Sequence, residues 1–369
     1  MTSIMQSATA TRRGFALPER QAARVEAVLL PLLALLAGLL LFGLFLLAFG
    51  KSPIEFYQLV WRGGFGTQFS VSNTLQRAAP LLLTALCVAL PAQLGLIVIG
   101  GEGAFVLGGL AAAVTGAALS GMPALPAIAL MAMAGALAGG LWIGCVGLLR
   151  VRRGVNETIA SLLFAYIAIA LFNHMVEGPL RDPASLNKPS TLPLPAEFRI
   201  GAMPGLDVHW GFVVGTLACV VSAFVIGRTS FGFAARIAGG NPRAAAVQGL
   251  PVGRLIVLFC MAGGAAAGIA GMIDVAAIHG NANAALIAGY GYTGILVAFL
   301  ARQNPLAIIP MAILIGGIDA AGGLVQRRMQ LPDATMLVLQ GILFIAMLAS
   351  ETLSGRLVPR RAASTEGGR

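Results

Sequence analysis

Residues 212–273 decide the fold, because two apolar runs, FVVGTLACVVSAFVI (212–226) and LIVLFCMAGGAAAGIAGMI (255–273), enclose the loop GRTSFGFAARIAGGNPRAAAVQGLPVGR (227–254). Neither run contains a charged residue, as is typical of membrane-crossing helices. The loop carries four arginines and no acidic residue. A short basic loop between two spans is expected to face the cytoplasm.

The loop itself has the pattern of an ordered element. Residues 231–238 predict a short helix, and Gly239-Gly240 predicts a break. Asn241 is a candidate N-cap for a second helix, with Pro242 in its first turn. Two hypotheses fit this helix–glycine–helix pattern: a segment that docks on a partner protein, or an interfacial helix that only anchors the chain.

Composition extends the membrane prediction to the whole chain. Of its 369 residues, 58% are hydrophobic and 10% are charged, and the mean hydropathy is +0.88, which is typical of a polytopic membrane protein. The net charge of +10 comes from arginines in short loops beside apolar runs, so it does not indicate a nucleic-acid partner. The four cysteines lie in apolar runs without a CxxC pair, so neither a disulfide framework nor a metal site is predicted.

We therefore predict an all-α, polytopic transmembrane helix bundle of about ten spans, with broken or re-entrant helices. The spans are expected at 27–49, 75–95, 101–120, 124–149, 155–176, 211–227, 254–275, 286–301, 305–323 and 333–350. With both termini in the cytoplasm, 16 Lys and Arg residues lie inside and 8 outside, as the positive-inside rule requires. Arg327 and Arg328 oppose this orientation locally, unless they belong to a re-entrant or partly buried loop.

This topology divides the chain into a basic cytoplasmic tail (1–26), a transmembrane permease domain (27–350) and a second cytoplasmic tail (351–369). Within the domain, 177–210 is predicted to be an external loop, ordered because it carries six prolines, and 228–254 a cytoplasmic loop. The expected location is the bacterial cytoplasmic (inner) membrane.

Acidic residues within the spans require an explanation, because charge at membrane depth is costly. Glu102 lies among three glycines, Gly100, Gly101 and Gly103, which predicts a broken helix whose backbone lines a cavity. A polar turn at the membrane surface is the alternative. Asp274 and Asp319 are further candidates, and either could instead pair with an arginine.

Several motifs together, in the same order over residues 75–350, resemble permease subunits of ABC importers. The resemblance is to the branched-chain amino acid/ribose type, and within it to the nucleoside and simple-sugar branch. The motifs are Ile99-Gly100-Gly101-Glu102-Gly103, Gly154-Val155-Asn156-Glu157-Thr158-Ile159, Tyr166-Ile167-Ala168, Gly178-Pro179-Leu180-Arg181-Asp182-Pro183, Gly239-Gly240-Asn241-Pro242-Arg243-Ala244-Ala245, Gly289-Tyr290-Gly291-Tyr292-Thr293-Gly294-Ile295, Asn304-Pro305-Leu306 and Gln340-Gly341.

The resemblance implies a coupling segment that docks on an ATPase subunit, a second permease subunit, often giving a heterodimer, and a substrate-binding protein. Membrane lipid is the remaining partner. The expected substrate-pathway residues are Gly100, Gly101, Glu102, Gly103, Asn156, Glu157, Tyr166, Asp274, Gly289, Tyr290, Gly291 and Tyr292. The expected ATPase-coupling residues are Arg236, Gly239, Gly240, Asn241, Pro242, Arg243 and Ala245.

The chain also departs from the pattern of this branch. The branch usually has Asn at the position of Val98, Gln at that of Ala104, Asn at that of Ala165 and Glu at that of Asp274. Fewer amides in a polar cavity would change which solute is recognised, unless the second permease supplies the contacts.

The predicted function is translocation of a small polar solute, most simply a nucleoside or a simple sugar, by alternating access driven by ATP on partner subunits. The sequence lacks catalytic motifs, and Gly50-Lys51-Ser52 is not a P-loop because position 45 is Phe. No catalytic residue, metal, cofactor or ATP site is therefore expected in this chain. The alternative is an ATP-independent secondary transporter or channel, which would use Glu102, Asp274 or Asp319 as titratable or ion-coordinating groups.

Overall fold

A computed structural model describes residues 19–332 and 334–353. These residues form thirteen α-helices and no strand, which confirms the all-α prediction. The helices are α1 (Glu19–Ala48), α2 (Pro53–Gly64), α3 (Gln68–Ala92), α4 (Gly101–Ala118), α5 (Ala124–Arg153), α6 (Glu157–Glu177), α7 (Gly211–Arg228), α8 (Ser230–Gly240), α9 (Pro242–Val247), α10 (Val252–Asp274), α11 (Tyr290–Leu300), α12 (Pro305–Met329) and α13 (Ala334–Leu353). Most of the two predicted cytoplasmic tails, residues 1–18 and 354–369, lies outside the described residues.

Seven of the described helices are long and apolar enough to cross a membrane: α3, α4, α5, α6, α7, α10 and α12. An eighth candidate combines α1 and α2, which are bent by 120° where they meet. The segments predicted at 286–301 and 333–350 are also apolar helices, but their apolar stretches, Ala284–Leu300 and Ala334–Ser350, are shorter than those of the seven spans. All ten predicted segments therefore coincide with apolar helices, two of them of reduced length.

Glycines bring α5 and α10 into backbone contact. A Cβ on Gly264 would overlap the carbonyl oxygen of Gly139, and one on Gly268 would overlap that of Gly135. Gly108 of α4 approaches the backbone of Gly268 in the same way. Three spans thus pack through small residues at their contacts, as is common where lipid supplies no hydrophobic driving force between helices.

Two irregular segments, without α-helix, interrupt the bundle. The first comprises residues 93–100, between α3 and α4. The second comprises 280–289, between α10 and α11, and follows a π-helical turn at Val275–His279. Both lead directly into a helix that begins inside the protein, so the prediction of broken helices is confirmed at both places.

The segment between α6 and α7 is ordered by hydrogen bonds to the second of these interruptions. The backbone N–H of Thr191 donates to the carbonyl of Ala282 at 2.9 Å, and the N–H of Ala282 donates to the Thr191 hydroxyl at 3.0 Å. The N–H of Leu194 donates to Gly280 at 2.8 Å. This loop therefore covers the irregular chain that precedes α11.

Arg327 and Arg328 occupy the last turn of α12. They are exposed helical residues, so the expectation of a re-entrant or partly buried loop is wrong. Positive side chains at a helix C-terminus interact favourably with the helix dipole, and the Lys51 ammonium adds a hydrogen bond to the carbonyl of Met329 at 2.7 Å.

Candidate functional site

The two interruptions meet at Glu102, in the first turn of α4, which is fully buried. Its carboxylate accepts hydrogen bonds from the backbone N–H groups of Gly289, at 2.8 Å, and Gly291, at 2.6 Å. Both donors lie at the N-terminus of α11, where the helix dipole favours negative charge. These interactions offset the cost of burying the carboxylate, so Glu102 joins α4 to α11.

The neighbouring glycines bring the backbones of this junction together. A Cβ on Gly291 would overlap the backbone of Glu102, and one on Gly101 would be 3.7 Å from the Cα of Gly291. On the other side of α4, a Cβ on Gly103 would lie 2.9 Å from the Cα of Ala165, and one on Gly100 2.7 Å from the carbonyl oxygen of Ser161. The glycine motif thus lets α4 pack closely against both α6 and α11.

A cavity of about 580 Å3 opens beside this junction, within the size range of small-molecule sites. It lies between the start of α4, the start of α11 and one face of α13. Most of its wall is apolar, and only a few side chains offer polar groups. The lining residues are Ile99, Glu102, Ile287, Ala288, Gly289, Tyr292, Thr293, Ile295, Leu296, Leu337, Gln340, Gly341 and Phe344.

One wall of this cavity carries a hydrogen-bonded polar group that links three helices. The Gln340 amide nitrogen, on α13, donates to the Asp319 carboxylate on α12. The Thr293 hydroxyl, on α11, lies 3.4 Å from the amide oxygen of Gln340. Gln340 is buried, so these two contacts hold its amide group in the cavity wall.

Three of the predicted substrate-pathway residues line the cavity: Glu102, Gly289 and Tyr292. Asn156 instead caps α6, where its side-chain oxygen accepts from the N–H of Thr158 at 2.9 Å. Glu157 forms an ion pair with Arg150 at 3.3 Å. Both lie where α5 turns into α6 rather than in the cavity wall.

The other predicted pathway side chains, Tyr166, Tyr290 and Asp274, are not among the residues that line the cavity. Tyr166 is 60% exposed on α6. Tyr290 packs its ring against Phe105, with 5.7 Å between the ring centroids. Asp274 is buried at the far end of α10, where its carboxylate lies 3.2 Å from the imidazole of His279.

Sequence reasoning missed two groups of the cavity wall. Thr293 and Gln340 stand out in the sequence only as parts of motifs, whereas Asp319, which lies behind the wall, is predicted there as a candidate charged group within a span. The departures Val98, Ala104 and Ala165 are fully buried and outside the cavity lining, so they remove no amide from this cavity. The only signal for the missed Gln340 was its polarity within an apolar span.

The predicted coupling segment folds as two short helices, α8 and α9. The chain breaks at Asn241, whose side chain accepts from the N–H of Ala244 at 3.0 Å, with Pro242 at the start of α9. Gly239 and Gly240 form the last turn of α8, so the expected break at these two glycines lies one residue further on. Asparagine ends the first helix and caps the second.

Gly239 packs against the end of α3. A Cβ at this position would overlap the carbonyl oxygen of Gln93 and lie 3.2 Å from the Cα of Leu94. A buried apolar cluster joins the same regions, and Ala235 and Ala238 of α8 share it with Val98. The α8–α9 element is thus in direct contact with the irregular segment that leads to Glu102.

Fold and site together define a class of protein: a multi-pass, α-helical membrane permease with interrupted helices beside a cavity. The chain belongs to the family of the branched-chain amino acid transport system permease component, which it matches over residues 70–348. It is accordingly a permease subunit of the ABC transporter type.

Curated relatives agree with this assignment. The chain is 31% identical over 335 residues to a glucose ABC transporter permease protein of Haloferax volcanii, covering 87% of each chain. It is 32% identical to a guanosine ABC transporter permease protein of Bacillus subtilis, covering 80% of this chain and 85% of the relative. A nucleoside ABC transporter permease protein of Lactococcus lactis is 27% identical, with 79% and 82% covered.

Proposed function

We propose that this permease forms half of the translocation pathway of an ATP-driven importer and that the cavity beside Glu102 is part of this pathway. ATP would be bound and hydrolysed by partner ATPase subunits, and this chain would hold no ATP site or other cofactor. The observation that carries the proposal is the continuous packing from α8, through Gln93 and residues 93–100, to Glu102 and α11. Movement of α8 would reach the cavity by this route.

The α8–α9 element presents a surface suited to docking on the ATPase. Arg243 is exposed, and Val247 is 90% exposed, whereas Ala245 is buried against the bundle. The exposed face therefore combines a positive charge with an apolar side chain. The buried alanine transmits the position of α9 to the spans.

The exposed residues near the cavity support the proposal that a second permease subunit completes its wall. Tyr166 on α6 and Leu337 on α13 are 60% and 64% exposed, and Tyr292 lines the cavity at 36% exposure. A second, similar chain would cover this face and close the pathway. We propose a heterodimer, as in the nucleoside and sugar branch that the motifs resemble.

We propose a nucleoside or a simple sugar as the transported solute, since relatives similar to this chain along most of its length carry glucose, guanosine or nucleoside in their names. A substrate-binding protein would deliver it to the face that carries the α6–α7 loop. The basic α8–α9 element would then lie in the cytoplasm, with both termini on that side of the cytoplasmic membrane.

The alternative of an ATP-independent transporter requires a carboxylate that can exchange ions. Glu102 is bonded to two backbone N–H groups, Asp274 is paired with His279, and Asp319 accepts a hydrogen bond from Gln340. Each candidate carboxylate thus already has a partner within the bundle. This arrangement favours the ATP-driven mechanism.

Reversal of charge in Arg243→Glu tests the docking role. We expect ATP-driven uptake in proteoliposomes to fall about tenfold, because an interfacial charge would meet the wrong sign, while membrane insertion is retained. Arg328→Glu, an exposed charge reversal at the end of α12, serves as the control and should leave uptake within about twofold. Normal uptake by Arg243→Glu would remove this residue from the coupling surface.

A further inference from the structure

Every charged group at the cavity wall is already engaged. The two oxygens of Glu102 accept from Gly289 and Gly291, one each. Behind the wall, the Asp319 carboxylate accepts from the Gln340 amide. Among the described lining residues, Glu102 is the only ionised type. An anionic solute, or the carboxylate of a zwitterion, would therefore meet no positively charged side chain among these lining residues, whereas a neutral solute needs none.

Gln340 is the one amide side chain among the described lining residues, and it has hydrogen-bonding capacity to spare. A primary amide has two N–H donors and two acceptor lone pairs. One N–H is used by Asp319, and the amide oxygen has one contact, to the Thr293 hydroxyl. One donor and one acceptor of the same planar group therefore remain for a ligand in the cavity.

The neighbouring groups fix the orientation of this amide. An amide can present its oxygen or its nitrogen to a given partner, and the hydrogen-bond network decides which. Asp319 is a pure acceptor when ionised and selects the nitrogen, while the Thr293 hydroxyl can donate to the oxygen. The two residues together leave a single orientation with both contacts satisfied.

We propose that Gln340 is a specificity-determining residue of this permease, with Asp319 and Thr293 as its positioning residues. The amide contacts a neutral solute that offers a hydrogen-bond donor and an acceptor side by side. The apolar wall, with Phe344 and Leu296, covers the remainder of the solute. This inference rests on the proposed function, because it requires the cavity to be part of the pathway.

Space beside the amide supports contact with a solute. Gly341 follows Gln340 in the lining, and a Cβ there would meet no atom within 4 Å. The solute can therefore approach α13 closely at this turn. The structure thus leaves a gap next to the one amide of the wall.

The test uses the complete transporter, reconstituted in proteoliposomes with its partner subunits and binding protein. Uptake of radiolabelled guanosine and of radiolabelled glucose is measured over a concentration series, and the ATPase rate is recorded in parallel. Gln340→Met removes the amide at nearly constant volume. Gln76→Met is the matched control, because the Gln76 amide donates to the carbonyl of Asp207, away from the cavity.

We expect Gln340→Met to raise the KM of the imported solute about tenfold, as for the loss of one or two neutral hydrogen bonds. The maximal rate and the basal ATPase rate should stay within about twofold, and Gln76→Met should match the wild type. Asp319→Leu should raise the KM about threefold, and Asp319→Asn, which keeps an acceptor oxygen, should restore it. Excess leucine, a zwitterion, should not compete in the wild type.

The outcomes separate the inference from the function beneath it. If the wild-type complex imports neither probe with ATP, the proposed function fails, and the inference fails with it. If it imports a probe and Gln340→Met has an unchanged KM, only the inference is overturned. A fall in the maximal uptake rate and the ATPase rate of Gln340→Met at unchanged KM would likewise mean that Gln340 only packs the structure. Competition by leucine in the wild type would contradict the proposal that the solute is neutral.

Discussion

Two contacts between helices in this permease are held by opposite means. Between α5 and α10, four glycines place backbone against backbone, and both helices continue without interruption. Between α4 and α11, both helices begin at a break, and a carboxylate from one binds two N–H groups of the other. The first contact depends on close packing along its length, and the second on two hydrogen bonds at one point.

The difference indicates which contact can move. Many small dispersion interactions are lost together when two closely packed helices separate, so the α5–α10 contact resists opening. Hydrogen bonds to a single carboxylate can break and reform as a unit, and the chain that leads into each of the two helices is already irregular. We therefore expect the α5–α10 pair to serve as the frame and the α4–α11 junction to change during alternating access.

The largest effect is expected from breaking the frame. In Gly268→Val, the new side chain would overlap the carbonyl of Gly135, and an overpacked interior costs about 3 kcal/mol or more in free energy of unfolding. Little monodisperse protein should then be recovered from detergent, as measured by size-exclusion chromatography and thermal denaturation.

Gly227→Val is the matched control for the frame, since a Cβ at Gly227 of α7 meets no atom within 4 Å. Its yield and melting temperature should stay close to those of the wild type. Equal recovery of Gly268→Val and Gly227→Val would show that the two helices can move apart, and the distinction between frame and junction would then be lost.

A smaller effect on folding, but a large one on transport, is expected from Glu102→Gln. The amide can accept from one of the two N–H groups, but its nitrogen faces the other donor. One buried N–H is thus left unsatisfied, at roughly 1–3 kcal/mol. We expect the complex to assemble while ATP-driven uptake falls by at least about tenfold, with both measured on the same preparation.

Glu157→Gln makes the same chemical change outside the junction. Glu157 is paired with Arg150 at 3.3 Å, and because the Arg150 side chain is 41% exposed, solvent screens this pair in part. Its uptake should therefore stay well above that of Glu102→Gln. If assembly and uptake fell in parallel in Glu102→Gln, the carboxylate would be a structural clamp without a role in movement.

The sequence predicted the frame better than the junction. Apolar runs and their glycines mark spans directly, and the breaks beside Glu102 and Gly289 follow from clustered glycines. The partner of Glu102 could not be predicted, because Gly289 and Gly291 lie nearly 190 residues further along the chain and donate through the backbone, which carries no residue-type signal. Gln340 and Asp319 likewise meet only through tertiary packing, whereas the Asn241 cap follows from a local motif.

The smallest effect is expected at the contact between α8 and the segment that leads to the α4–α11 junction. Two adjacent glycines of α8 differ there in the space around them. A Cβ on Gly239 would overlap the carbonyl of Gln93, whereas one on Gly240 meets no atom within 4 Å. In Gly239→Ala, α8 must shift away from the segment that leads to Glu102. We expect about a fivefold fall in solute imported per ATP hydrolysed, which corresponds to roughly 1 kcal/mol of lost coupling, with little change in melting temperature. Gly240→Ala should behave as the wild type. If both variants import the same amount of solute per ATP hydrolysed, coupling does not depend on this contact.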